Sequence, residues 1–182
     1  ISYEENIGSA QVKSCMILAA LNVPGISVFN TKVSRNHTEL MLKFLKYPLK
    51  IKKRMGNELI SIKGLNQFKG FNYIVPGDIS SASFFIVLTL LSKNSKIVIK
   101  NVNVNESRVG IINILNKMGA DIKLEKEKKY KGEKIANIHV KSKDNLKAIK
   151  CPPELNSSAI DEFLIIFLVA AKSKGISKFK DL

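Results

Sequence analysis

Ser9-Ala10-Gln11-Val12-Lys13-Ser14, running straight into the apolar residues 15–21, is the stretch on which the reading of this chain turns. A turn of small residues with hydroxyl, amide and ammonium donors, opening into a helix, aims side chains and free backbone N–H groups at one point, and that point attracts an anion. Ser9 can equally be an ordinary N-cap. Residues 2–7 are extended in character and Gly8 breaks them, so a strand is expected to lead into a helix here. Val12, Cys15, Met16, Ala19 and Ala20 recur at helical spacing and form the expected buried face, and Asn22-Val23-Pro24-Gly25 stops the helix.

Further along, residues 26–29 alternate as a strand. Ser34-Arg35-Asn36-His37-Thr38-Glu39 is polar, with Asn36 and Glu39 spaced as a capping box ahead of a helical face at Leu40, Met41, Phe44 and Leu45. Residues 49–55 and 58–62 are β-rich, and Gly56-Asn57 between them is a hairpin signal. The succession then begins again. Residues 71–75 predict a strand, Pro76-Gly77-Asp78 a turn, and Ser80-Ser81-Ala82-Ser83 the cap of an apolar helix reaching residue 91. Residues 96–100 predict a strand, and Ser107-Arg108 precede a helix through Ile111, Ile114, Leu115 and Met118 that Gly119 closes. A strand pair over 121–124 and 135–140 completes the copy.

The helix openings at Ser9 and Ser81 lie 72 positions apart, and Ser34-Arg35 and Ser107-Arg108 lie 73 apart, which marks an internal repeat. A third copy opens near Leu146, with Ser157-Ser158-Ala159-Ile160-Asp161-Glu162 ahead of an apolar helix over 163–171, and Gly175 ahead of a short strand over 176–179. The fold class is therefore α/β (α+β), built from repeated β-α-β-α-β-β units with right-handed crossovers, packed around buried helices. The near-continuous apolar character of 86–91 and 163–169 fits helices enclosed on most sides. The natural boundary is the crossing Val75-Pro76-Gly77-Asp78. Residues 1–75 then form the last unit of one domain, and residues 76–182 one complete and one truncated unit of a second.

With 182 residues, 45% of them hydrophobic, the chain can bury a real core. The apolar runs 84–91 and 163–171 fall short of the roughly 20 residues that cross a bilayer, so no membrane partner is expected. Nothing reads as a targeting leader, the start at Ile1 reads as a cut inside a longer chain, and a cytoplasmic location is expected. Cys15, Cys151, His37 and His139 show no metal-ligand spacing. No metal is expected, the cysteines are expected reduced, and His139 is expected on a solvated face. The net charge of +15 admits nucleic acid, an acidic membrane surface or small anions. Its lysines are spread through 43–53, 123–134 and 141–150, without aromatic interleaving or helix-turn-helix spacing. That pattern argues against nucleic acid and leaves small anions, which need only a few converging cations.

Six motifs, in order, resemble the 5-enolpyruvylshikimate-3-phosphate (EPSP) synthase family. They are Ser9-Ala10-Gln11-Val12-Lys13-Ser14, Arg35-Asn36-His37-Thr38-Glu39, Val75-Pro76-Gly77-Asp78-Ile79-Ser80-Ser81-Ala82, Ser107-Arg108-Val109-Gly110, Met118-Gly119-Ala120-Asp121 and Ile160-Asp161-Glu162. The resemblance implies an enolpyruvyl transferase-like fold of two domains, three units each, with the active site in the cleft between them. It implies transfer of the enolpyruvyl group of phosphoenolpyruvate to the 5-hydroxyl of shikimate 3-phosphate, with no metal or organic cofactor and a monomeric full-length enzyme.

By the same resemblance, Ser9 and Ala10 match contacts to shikimate 3-phosphate and Gln11 a residue touching both substrates. Arg35 matches a phosphate contact, suited to a guanidinium fork, and Asp161 matches the acid–base aspartate. Lys13, about 200° round the helix from Gln11, falls outside the expected site, and Glu162, about 100° from Asp161, is expected to be structural. Asp78 is expected to cap the crossing turn and Arg108 to be structural. The family's N-terminal Lys and Arg, its phosphoenolpyruvate-clamping arginines and its Lys-Glu-Ser-Asp-Arg motif have no match here. The chain alone is therefore expected to be inactive and, with severed units, prone to self-association. The sister transferase acting on UDP-N-acetylglucosamine is disfavoured by Ser9-Ala10-Gln11 and by Arg35-Asn36-His37-Thr38. The remaining alternatives are a basic nucleic-acid-binding module, marked by steep salt dependence, and a purely structural fragment.

Overall fold

The computed structural model describes residues 1–182, which divide into two compact units, Ile1–Tyr73 and Ile74–Leu182. The first contains β1 (Ser2–Glu5), α1 (Ala10–Ala20), β2 (Ile26–Lys32), α2 (His37–Phe44), β3 (Leu49–Arg54) and β4 (Asn57–Lys63). Its sheet runs β1-β2-β4-β3. β1 lies parallel to β2, which the α1 crossover makes possible, and the β3–β4 hairpin closes antiparallel against β2.

Alternation along β2 and β4 sets the inner face of this unit. The cross-strand pairs Ser27–Ile62, Phe29–Ile60 and Thr31–Glu58 are all buried. Phe29, Ile60 and Ile62 pack with Ile17, Ala20, Leu42 and Tyr47 into the apolar core. The same face is polar at its other end, where β2 runs toward Ser34-Arg35.

Three local expectations change in this unit. The inward side of α1 is Lys13, Ile17 and Ala20, whereas Val12 and Cys15 are exposed and Met16 is half-buried. A lysine takes an apolar place because its ammonium meets carboxylates inside. The capping box does not form: Asn36 makes no side-chain cap bond, and Glu39 turns inward, buried against Lys13. The hairpin turns at Met55-Gly56, one residue early, with Arg54 paired to Asn57, because Gly56 supplies the left-handed φ of +81°.

The second unit contains α3 (Ile79–Leu91), β5 (Lys96–Asn103), α4 (Gly110–Lys117), β6 (Asp121–Tyr130), β7 (Glu133–Lys141), the short α5 (Asn156–Ala159) and α6 (Phe163–Lys172). Its sheet runs β5-β7-β6, all antiparallel. No strand forms over 71–75. Gly77 makes a lone parallel bridge to Val102, donating to the Asn101 carbonyl at 2.9 Å and accepting from the Asn103 N–H at 2.8 Å. Pro76 offers no N–H, and Phe71 is committed to edge contacts with Phe44 and Tyr73 in the first unit. The strand expected over 176–179 is likewise reduced to parallel bridges, Lys147 to Lys174 and Lys150 to Lys178, while Phe179 packs on Phe163 and Phe167. The β1–β2 pairing of the first unit thus recurs twice in vestigial form, as the repeat requires.

Asp78, rather than the serines after it, caps α3, its Oδ2 accepting from the Ser81 N–H at 2.9 Å. α3 buries Ile79, Ala82, Ile86, Val87 and Leu90 against the sheet, and its Phe84, Phe85 and Leu88 are exposed. α6 buries Phe163, Ile166 and Val169 and exposes Leu164 and Leu168. Neither helix, nor any other in the chain, is long and apolar enough to cross a membrane.

Candidate functional site

In the first unit the residues singled out by sequence sit where β1 and β2, side by side and parallel, both end. Glu5 is level with Thr31, so residues 6–9 and 33–36 leave the sheet from one edge, and a Cβ placed on Gly8 would touch that of Lys32 at 3.5 Å. Carboxyl ends of adjacent parallel strands are where α/β proteins gather ligand groups.

The anion-attracting point before α1 is partly filled by the chain's own Glu5. This carboxylate, 4% exposed, accepts the N–H groups of Ile7 and Gly8 at 2.8 Å and of Ser9 at 3.3 Å. Ser9 is the N-cap, its Oγ accepting from the Val12 N–H at 3.3 Å and donating to Gln11 Oε1 at 3.3 Å. Ala10 and Gln11 occupy the first turn, where backbone N–H groups have no intrahelical acceptor. Ser9 and Ala10 are half-buried and Gln11 is exposed, so the dipole and the donors of this turn face outward.

Lys13 ties this turn to the next. Fully buried, its Nζ lies 2.7 Å from Glu39 Oε1 on α2 and 3.6 Å from Glu58 Oε2 on β4, and donates to the Ser34 carbonyl at 3.4 Å. Ser14 and Thr38 hydroxyls bond at 2.7 Å. Together these contacts hold the Ser34-Arg35 loop beside the start of α1, with Arg35 half-buried at the unit's edge.

The second unit repeats this arrangement with its own content. Arg108, the repeat counterpart of Arg35, is 13% exposed and reaches three carboxylates: Asp161 Oδ2 at 3.3 Å, Asp78 Oδ1 at 3.4 Å and Glu162 Oε1 at 3.7 Å. Its Nη2 also donates to Ser80 Oγ at 2.6 Å, and the Ser80 hydroxyl donates in turn to Glu162. Asp161 lies in a single 3₁₀ turn, Ile160–Glu162, that feeds α6, and its carboxylate is half-exposed. Glu162, by contrast, is buried. Burial pushes the Asp78 carboxyl up, but the Ser81 N–H and hydroxyl, the Ser80 N–H and the Arg108 guanidinium outweigh it and hold the group below its ordinary value.

Of the site residues the resemblance points to, Ser9, Ala10, Gln11 and Arg35 lie in the first unit and Asp161 in the second. Sequence reading leaves Lys13 outside the site, treats Arg108 as structural, assigns Glu39 and Ser80 to helix caps, and does not single out Glu5. The signals for Arg108 are its repeat relation to Arg35 and its place in the motif Ser107-Arg108-Val109-Gly110.

EPSP synthase structures from Acinetobacter baumannii superimpose on this chain with a TM-score of 0.85 at 39% identity, covering 96% of this chain and 39% of theirs. The fold is thus that of the enolpyruvyl transferases. The family model for EPSP synthase (3-phosphoshikimate 1-carboxyvinyltransferase) matches residues 1–182, and the chain belongs to that family. Among its relatives, the 3-phosphoshikimate 1-carboxyvinyltransferase of Petrotoga mobilis is 41% identical over 181 residues, covering 98% of this chain. That of Legionella pneumophila strain Corby is 42% identical over 176 residues, covering 96%. The chain spans about two fifths of these relatives, 41% and 40% of their lengths.

Proposed function

We propose that the protein containing these residues transfers the enolpyruvyl group of phosphoenolpyruvate to the 5-hydroxyl of shikimate 3-phosphate. The observation that carries this reading is the family match over the whole chain, with every site motif inside the matched region. In the reaction the substrate hydroxyl oxygen bonds to the enol carbon C2, the hydroxyl proton leaves, and the C2–O bond to phosphate breaks to release inorganic phosphate. Asp161 accepts the hydroxyl proton, a task for a carboxylate that is half-exposed and already oriented by a cation. Ser9, Ala10 and Gln11 supply a hydroxyl, first-turn N–H groups and a carboxamide to the phosphate and ring hydroxyls of shikimate 3-phosphate. Arg35 supplies a two-pronged phosphate contact.

The test is a titration of the 182-residue chain with shikimate 3-phosphate, followed by the ligand's phosphorus NMR signal. Saturable binding is expected, about 10- to 100-fold weaker in Arg35→Ala, since a charge-assisted bond contributes about 1.5–3 kcal/mol. UDP-N-acetylglucosamine should leave the chain unperturbed. A folded chain that leaves the phosphorus signal unchanged, or answers the nucleotide sugar equally, overturns the phosphate-site reading.

A further inference from the structure

We propose that Arg108 is the positioning residue for Asp161, holding its carboxylate in the geometry the proton transfer needs; this rests on the function proposed above. Arg108 occupies the repeat position of Arg35, but its guanidinium is taken up by carboxylates of its own unit. Its contacts join three parts of the unit. Asp78 and Ser80 belong to the start of α3, Arg108 itself lies just ahead of α4, and Asp161 and Glu162 form the turn before α6.

The planar fork divides its labour. Nη2 is held by Ser80, Asp78 and Glu162, and Nη1 meets Asp161 Oδ2 at 3.3 Å. A guanidinium anchored at one end is a rigid donor at the other, which a flexible ammonium is not. Asp161 needs such a hold. It sits in a single 3₁₀ turn, and its side chain is 45% exposed against 2% for Glu162, so packing alone does not choose its rotamer.

Close approach of the elements makes the contact possible. A Cβ on Gly110, the first residue of α4, would fall 2.6 Å from the Ser158 carbonyl carbon and 2.7 Å from the Ala159 nitrogen. α4 and α5 therefore meet backbone to backbone, which brings Arg108 within reach of the turn carrying Asp161.

The experiment is steady-state kinetics on the full-length protein carrying this chain, with Arg108→Gln, Arg108→Lys, Asp161→Asn and the Arg108→Gln/Asp161→Asn double variant. Arg108→Gln should lower kcat about 100-fold with KM for both substrates nearly unchanged, the size expected when a reacting group is misplaced by about an ångström. Arg108→Lys should recover only part of this, because it keeps the charge and loses the fork. The double variant should be no slower than Asp161→Asn alone, since the arginine acts through the aspartate.

A rise in KM for shikimate 3-phosphate at unchanged kcat, or losses that multiply in the double variant, would overturn the proposal. So would failure of both Arg108 variants to fold, which would make the residue architectural. Inactive wild-type protein, or an active Asp161→Asn variant, would instead remove the reading beneath it, so the two failures are told apart.

Discussion

Replacing Gly110 with Ala tests whether backbone contact between α4 and α5 builds the second unit's site. The added methyl would lie 2.5 Å from Ser158 Oγ, 2.6 Å from its carbonyl carbon and 2.7 Å from the Ala159 nitrogen, where ordinary contact begins at about 3.4 Å. The hydroxyl can rotate, although it would give up its bond to the Leu155 carbonyl at 2.9 Å. The backbone atoms cannot, so α4 and α5 must part by most of an ångström. Overpacking of this kind costs about 1–3 kcal/mol. Against it stands the gain from removing a glycine from the unfolded chain, about 0.4–1 kcal/mol where the backbone is compatible, as the helical φ here is. The net expectation is a loss of about 1–2 kcal/mol, read by urea denaturation of the chain. Gly70→Ala is the control, because a Cβ there meets nothing within 4 Å; it should be neutral or slightly stabilising. A Gly110→Ala chain as stable as the control would refute the argument, since helix propensity would then outweigh the contact.

Two further outcomes follow from the charges. Lys13→Met leaves Glu39 and Glu58 buried without their cation and should cost about 3–5 kcal/mol, whereas Lys13→Met combined with Glu39→Leu and Glu58→Leu should restore most of it. A triple variant no more stable than the single one in urea would count against this account. Asp78 is held below its ordinary value, so its contribution is complete above an unfolded value of about 3.9 and disappears as pH falls through the lower folded one. The urea midpoint of Asp78→Asn should therefore decline less between pH 5 and pH 3 than that of the wild type; parallel declines would show that the carboxylate is not linked to folding.

What the sequence could show was periodic. The 72- and 73-residue spacings, the helix openings at Ser9 and Ser81 and the glycine stops at Gly25, Gly119 and Gly175 each depend on neighbours a few residues away, and they located the repeat and the two site loops. Weak strands are less legible for a related reason. Residues 71–75 have strand-like side chains, but whether they pair depends on where Phe71 packs, and it packs on Phe44. Ser80–Ser83 looked like a cap because serine commonly caps, yet Asp78 lay closer to the first free N–H groups and took the role.

Charge was the hardest feature to read along the chain. A lysine in a helix normally marks the solvated side, and nothing near Lys13 in sequence reveals that Glu58 of β4 will stand beside it. Likewise nothing near Arg108 in sequence shows that Asp161, more than fifty positions later, lies 3.3 Å from it. Local propensities act over one or two turns and leave their record in adjacent residues. Coulombic pairing depends on separation and on exclusion of water, both of which arise when distant segments pack, so the identity of the buried cations and of the carboxylates they hold is a property of the folded units.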